Sequence, residues 1–180
     1  MSTAAPSPDP VSDAKGYQDL LVSLVGADDP AEVQAATPSA IRALLAEAGD
    51  LADRRPEASE WSVLECVAHV VDAELVASGR YRWILAHDDP PLIGYDQDLW
   101  VDRLHQPVEP IAELLGVFEA LRNANLALWQ RTPAAHRERV GMHQERGPES
   151  YGLTFVLIAG HDRFHLDQAR RALELVRAGQ

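Results

Sequence analysis

From about Ala14 onward, apolar residues recur at the three- and four-residue spacing of a helix face, within a texture rich in Ala, Leu, Glu and Arg. Few β-branched alternations interrupt it, and no Asn-Gly pair announces a hairpin. Long helices hide their apolar stripes best against one another, so this pattern predicts an all-α fold whose economical form is a four-helix bundle.

Turn chemistry sets the expected boundaries. A short helix over residues 17–25 ends at Gly26 and Asp28-Asp29-Pro30. Thr37-Pro38 reads as a cap followed by proline at the first helical position, opening a helix through Ile41, Leu44, Leu45 and Leu51. Ser62-Val63-Leu64-Glu65 fits a capping box, with Trp61 placed as a staple residue against Cys66, and predicts a helix to about His87. Residues 90–107 read as a loop anchored by Tyr95 and Trp100. A further helix covers about 109–130, an irregular stretch follows Thr132-Pro133, and a last helix covers about 150–177. The bundle and its short extra helices form one domain over residues 13–180, after a Pro-, Ser- and Ala-rich tail at 1–12 expected to be disordered.

Composition narrows the function. A formal net charge of −12 does not suit a protein that neutralises phosphates, so no nucleic-acid partner is expected. No apolar run reaches the roughly 20 residues of a membrane span. Cys66 stands alone, which excludes an internal disulfide framework or a CxxC site, and the N-terminus lacks the basic and apolar regions of a signal peptide. A cytoplasmic location is the expectation.

The chemistry concentrates in histidines. His161 and His165 stand at i, i+4 in His161-Asp162-Arg163-Phe164-His165, so both imidazoles share one helix face. His161 falls within the apolar stripe of Leu153, Leu157, Phe164, Gln168, Ala172 and Leu175, with His165 at its edge. His69 lies about two turns into the Ser62 helix, among valines 67 and 70. A lone histidine on an apolar face is more often a satisfied core residue than a ligand. Three together can fill three positions around one cation and leave a fourth for water or substrate. His87, His105, His136 and His143 fall at helix ends or in loops and are expected to be exposed, with His143 able to reach a site mouth. Asp72 is placed to orient an imidazole as an acceptor, or else is a solvated helix acid. The resemblance of HDRFH to the zinc-peptidase HExxH fails, because Asp162 is a methylene shorter than Glu and no spaced third ligand follows.

Trp61-Ser62-x-x-Glu65-x-x-x-His69 and Gly160-His161-Asp162-Arg163-Phe164-His165, with helix order agreeing over residues 35–178, resemble the DinB-like (DinB/YfiT) superfamily of metalloenzymes. The resemblance implies an up-down-down-up four-helix bundle, metal ligation by His69, His161 and His165, and often a homodimer. It also implies, for some members, transfer or isomerisation chemistry with a low-molecular-weight thiol. Three imidazoles suit a divalent transition metal such as Zn, Ni or Fe, and Cu by donor type. Trp83, Tyr95 and Trp100 are candidate walls of a small-molecule pocket, and Arg122 a candidate partner for an acidic group of the substrate. The competing expectation is a non-enzymatic metal- or small-molecule-binding bundle with a stress-related role.

Overall fold

The computed structural model describes residues 8, 9 and 12–179, so most of the expected tail at 1–12 lies outside the described residues. Six helices carry the fold: α1 (Ala14–Val25), α2 (Pro30–Ala48), α3 (Val63–Ala86), α4 (Gln97–Leu104), α5 (Ile111–Arg131) and α6 (Tyr151–Ala178). Helices α2 and α3 each pack against both α5 and α6, which closes a four-helix bundle, and α1 lies along the outer side of α6. The all-α expectation holds. No helix among the described residues is long and apolar enough to cross a membrane.

The bundle core joins Ile41 and Leu44 of α2, Val67 and Val71 of α3, Phe118 of α5, and Leu166 and Leu173 of α6. A second cluster of Tyr81, Ile84, Leu92, Tyr151 and Phe155 fills the opposite end. Because three helices pack on it, α6 is buried on more than one side. His165, expected at a stripe edge, is therefore only 2% exposed, while Leu175 is left 56% exposed. Gly160 is needed where α1 crosses: a Cβ there would lie 2.1 Å from the Leu21 carbonyl oxygen.

Three sequence expectations are corrected. Helix α2 starts a full two turns before Thr37, at Pro30, with the Asp29 side chain accepting from Ala31 N at 2.7 Å. Pro38 sits inside this helix and cannot donate to the Gln34 carbonyl. Arg122 Nη1 of α5 replaces that donor at 2.9 Å, so a tertiary bond keeps the helix continuous. The segment 90–107 is not all loop, since Asp96 caps α4 by accepting from Leu99 N at 2.9 Å. Finally, β1 (Pro91–Leu92), β2 (Val140–His143) and β3 (Gly147–Ser150) form a small sheet in that order, β1 parallel and β3 antiparallel to β2. Its hairpin pairs His143 with Gly147, whose φ of 75° supplies the left-handed residue that an Asn-Gly search does not detect.

Candidate metal centre

The start of α3 is held firmly. Ser62 Oγ accepts from Glu65 N at 3.2 Å, and Glu65 Oε2 accepts from Ser62 N at 2.8 Å, completing the capping box. Burial would raise the Glu65 carboxyl, but the Arg55 fork, with Nη2 at 2.7 Å, and the Ser62 amide bring it below the usual range. Glu65 is thus fully engaged as a cap. Two turns further along, His69 emerges at 1% exposure, facing His161 and His165 from α6.

The donor nitrogens of His69, His161 and His165 all lie within 4.8 Å of one another. His69 Nε2 and His161 Nε2 are 2.9 Å apart, and the ring centroids are separated by 4.2 to 4.9 Å. Two nitrogens each about 2.0–2.1 Å from a tetrahedral zinc lie roughly 3.3 Å apart, so the pair needs little movement to share an ion. His165 Nδ1 donates to Gln168 Oε1 at 2.8 Å, which fixes the tautomer and leaves the Nε2 lone pair free. That Nε2 is buried and has no partner among the described residues. A buried acceptor without a donor is costly, and three such imidazoles fit a cation.

Electrostatics favour the ligating form. Burial, then the neighbouring His165 and His105, holds His69 well below the usual imidazole range. Burial and the other two imidazoles, with lesser effects of Arg122 and Arg146, do the same for His161. Burial pushes His165 down to about 4 against the opposing Gln168 bond. All three are neutral at pH 7. Trp61 stacks on His165 at 6.0 Å and tilts over His69 at 5.0 Å, while Tyr95 stands 6.3 Å from the His69 ring.

The structure sorts the other candidates. Tyr95 borders a cavity of about 320 Å³ that reaches His161, and Trp100 backs it at 4.5 Å between ring centroids. Trp83 is 46% exposed and borders neither this cavity nor the smaller one, of about 170 Å³, beside Trp61 and His165. Arg122 borders neither cavity. It is fully buried, with Nη2 2.9 Å from Glu74 Oε2 and Nη1 2.5 Å from Asp162 Oδ2. Asp162 also accepts from Thr37 Oγ1 at 2.7 Å, so the acid inside HDRFH anchors helices and faces away from the centre's chemistry.

Asp72 orients none of the three histidines; its carboxylate bonds His105 Nε2 at 2.8 Å. His105 and His143, expected to be exposed, are each 3% exposed. Carboxylates of Asp72 and Glu109 satisfy His105, and the hairpin folds His143 into the cavity wall. Sequence reading overlooked Gln168 as a positioning group, although its i+3 spacing from His165 is visible, and overlooked Arg80, which shares the His69 face of α3.

A helical bundle with three convergent, neutral, buried imidazoles beside a cavity defines a protein with a cluster capable of coordinating a divalent metal. The chain matches the DinB superfamily over residues 31–169, and it belongs to that family. Among curated relatives, "Putative metal-dependent hydrolase OB0782" of Oceanobacillus iheyensis is 27% identical over 106 residues, covering 59% of this chain and 61% of the relative. A "Putative metal-dependent hydrolase" of Bacillus cereus is 26% identical over 105 residues, covering 58% of this chain and 60% of the relative. The chain thus spans about three fifths of the length of these relatives. The solved structure of YfiT from Bacillus subtilis, described by its unusual four-helix bundle topology, superposes with a TM-score of 0.71 at 16% identity. It covers 98% of this chain and 93% of that one, and at this identity the likeness concerns the fold.

Proposed function

We propose that the protein is a metal-dependent enzyme in which a thiol or water attacks a small electrophilic molecule, giving transfer, isomerisation or hydrolysis. The observation that carries this reading is the set of three neutral imidazoles, with donor nitrogens within 4.8 Å, beside a cavity. A divalent transition metal such as Zn, Ni or Fe would supply Lewis acidity there and lower the pKa of the attacking thiol or water.

The chain's own residues divide the remaining work. His69, His161 and His165 would hold the ion, and Gln168 keeps the His165 lone pair aimed inward. Trp61 and Tyr95 cover the rings and limit water. The nucleophile does not come from the protein's cysteine. Burial, assisted by the charge of Glu65, pushes the Cys66 thiol up to about 12, and its side chain is packed in the core. A low-molecular-weight thiol or water is left for that part, and the names of the curated relatives favour water.

Metal content of untagged protein, measured by mass spectrometry, tests the reading. Near one equivalent of a transition metal, lost in His69→Ala, His161→Ala and His165→Ala, is the expected result. Paired assays then compare metal-dependent thiol transfer to electrophiles with hydrolysis of small esters and amides. No bound metal, together with no rise in Tm on adding zinc, nickel or iron, would falsify the proposal.

A further inference from the structure

Arg80 is a buried cation with no acid in contact: Glu149 and Glu145 favour its charge only from a distance, and Glu149 is bonded to Arg146. Arg80 is 8% exposed and forms no ion pair among the described residues. Its Nη2 donates to the Ile93 carbonyl at 2.6 Å and meets His143 Nε2 at 3.2 Å. Its Nε is buried and finds no partner among the described residues. The five N–H groups of a guanidinium are therefore only partly used. The other cation of this wall, Arg146, is already paired through Nε to Glu149 Oε2 at 2.8 Å.

The position of Arg80 gives this imbalance a direction. His69, Ala73, Val76 and Arg80 follow steps of four, three and four along α3, so they share one face, and the last three border the cavity that reaches His161. At about 1.5 Å per residue, Arg80 sits roughly 16 Å along the helix axis from His69. Helical side chains lean toward the N-terminus, which here is toward His69. Ala73 and Val76, both short, leave the space between them open.

A buried charge lacking a contacting counter-ion is costly, and such a group beside a cavity is a candidate ligand site. Asp96 and Asp98 at the rim are exposed, so water and salt screen them, and the buried Glu149 is already engaged by Arg146 and Thr154. Arg80 has no such screening. Its planar fork matches the geometry of a carboxylate or phosphate.

We propose that Arg80 is a substrate-anchoring residue, whose guanidinium holds the oxyanion of a small carboxylate or phosphate with its reacting end toward the three histidines. The orientation rests on the metal-enzyme reading above; capture of the anion by Arg80 does not.

Acetate and inorganic phosphate, titrated separately into metal-free protein, test the idea by calorimetry and by the 15N-resolved Nε–H resonance of Arg80. The expected result is a saturable shift of that resonance with at least one probe, and the tighter probe identifies the class of anion. Arg80→Gln should weaken binding roughly 10- to 100-fold, as expected for losing charge-assisted hydrogen bonds. A folded wild-type protein with no saturable shift overturns the proposal, even if Arg80→Gln does not fold. Undiminished binding in a folded Arg80→Gln protein overturns it as well. Protein that takes up no metal yet retains the Arg80 shift supports the anion site and sinks the enzyme reading, so the two fail separately.

Discussion

The Gln34 carbonyl of α2 receives its hydrogen bond from Arg122 of α5, at 2.9 Å, in place of the donor that Pro38 lacks. The same guanidinium holds Glu74 of α3 and Asp162 of α6. One side chain therefore ties together all four helices of the bundle, and its partner Asp162 is the residue next to His161. Burial works against the charge of Arg122, but Asp162 and Glu74 hold it firmly protonated.

Arg122→Met should accordingly destabilise the protein by about 3–5 kcal/mol, because it strands two buried carboxylates and a carbonyl. Urea unfolding monitored by circular dichroism measures the effect. A loss below about 1 kcal/mol would mean that the buried cluster relaxes or takes up water.

Gly160 offers a steric test of the α1–α6 contact. Gly160→Ala sets a methyl against the backbone oxygen of Leu21, which cannot rotate away, so α1 must shift. The expected cost is about 1–3 kcal/mol. Hydrogen exchange should locate the change in α1, around Tyr17 and Leu21; unchanged protection there would contradict the close crossing.

Gln168 positions the His165 imidazole by accepting its Nδ1–H and is not itself one of the three clustered donors. Gln168→Leu should lower metal affinity roughly 10- to 100-fold, as loss of such orienting partners does. Metal competition with a chromophoric chelator reads this directly, and Gln168→Glu, which retains an acceptor, should restore most of the affinity. Equal affinity in the leucine variant would show that packing by Trp61 and Phe164 suffices to hold His165.

The metal-free protein should lose stability as pH falls from 6.5 toward 4. His165 binds a proton at 6.5 when unfolded but only near 4 when folded, so between these values the unfolded chain carries more protons and stability rises with pH. His69 and His161 shift in the same direction. For His165 alone the full effect is on the order of 3 kcal/mol. A series of Tm values across this range, repeated for His165→Gln, checks it: the variant should show a shallower dependence. An equal slope would place the acid sensitivity elsewhere.

Much of this architecture is local chemistry and was legible in the sequence. Ser62 and Glu65 cap α3 because their side chains reach backbone groups three residues away, whatever the rest of the chain does. His161 and His165 share a face because the helical repeat places them so, and the matching motif around His69 marks it as their partner. The hairpin was less visible, since its left-handed residue, Gly147, follows a loop and carries no strand periodicity.

What the tertiary structure alone decided was the company each polar side chain keeps. Pro38 looked like a helix start because its missing N–H is costless there; only the approach of Arg122 makes it tolerable in the interior. Asp72 looked like a site residue because it lies one turn past His69, and Arg122 because it could meet an acidic group of the substrate, yet packing delivers them to His105 and to the Glu74–Asp162 pair. Periodicity assigns a residue to a face. Which charges meet across that face depends on contacts between residues 33 or more positions apart, as with Asp72 and His105 or Arg122 and Asp162, and local patterning does not encode those partners.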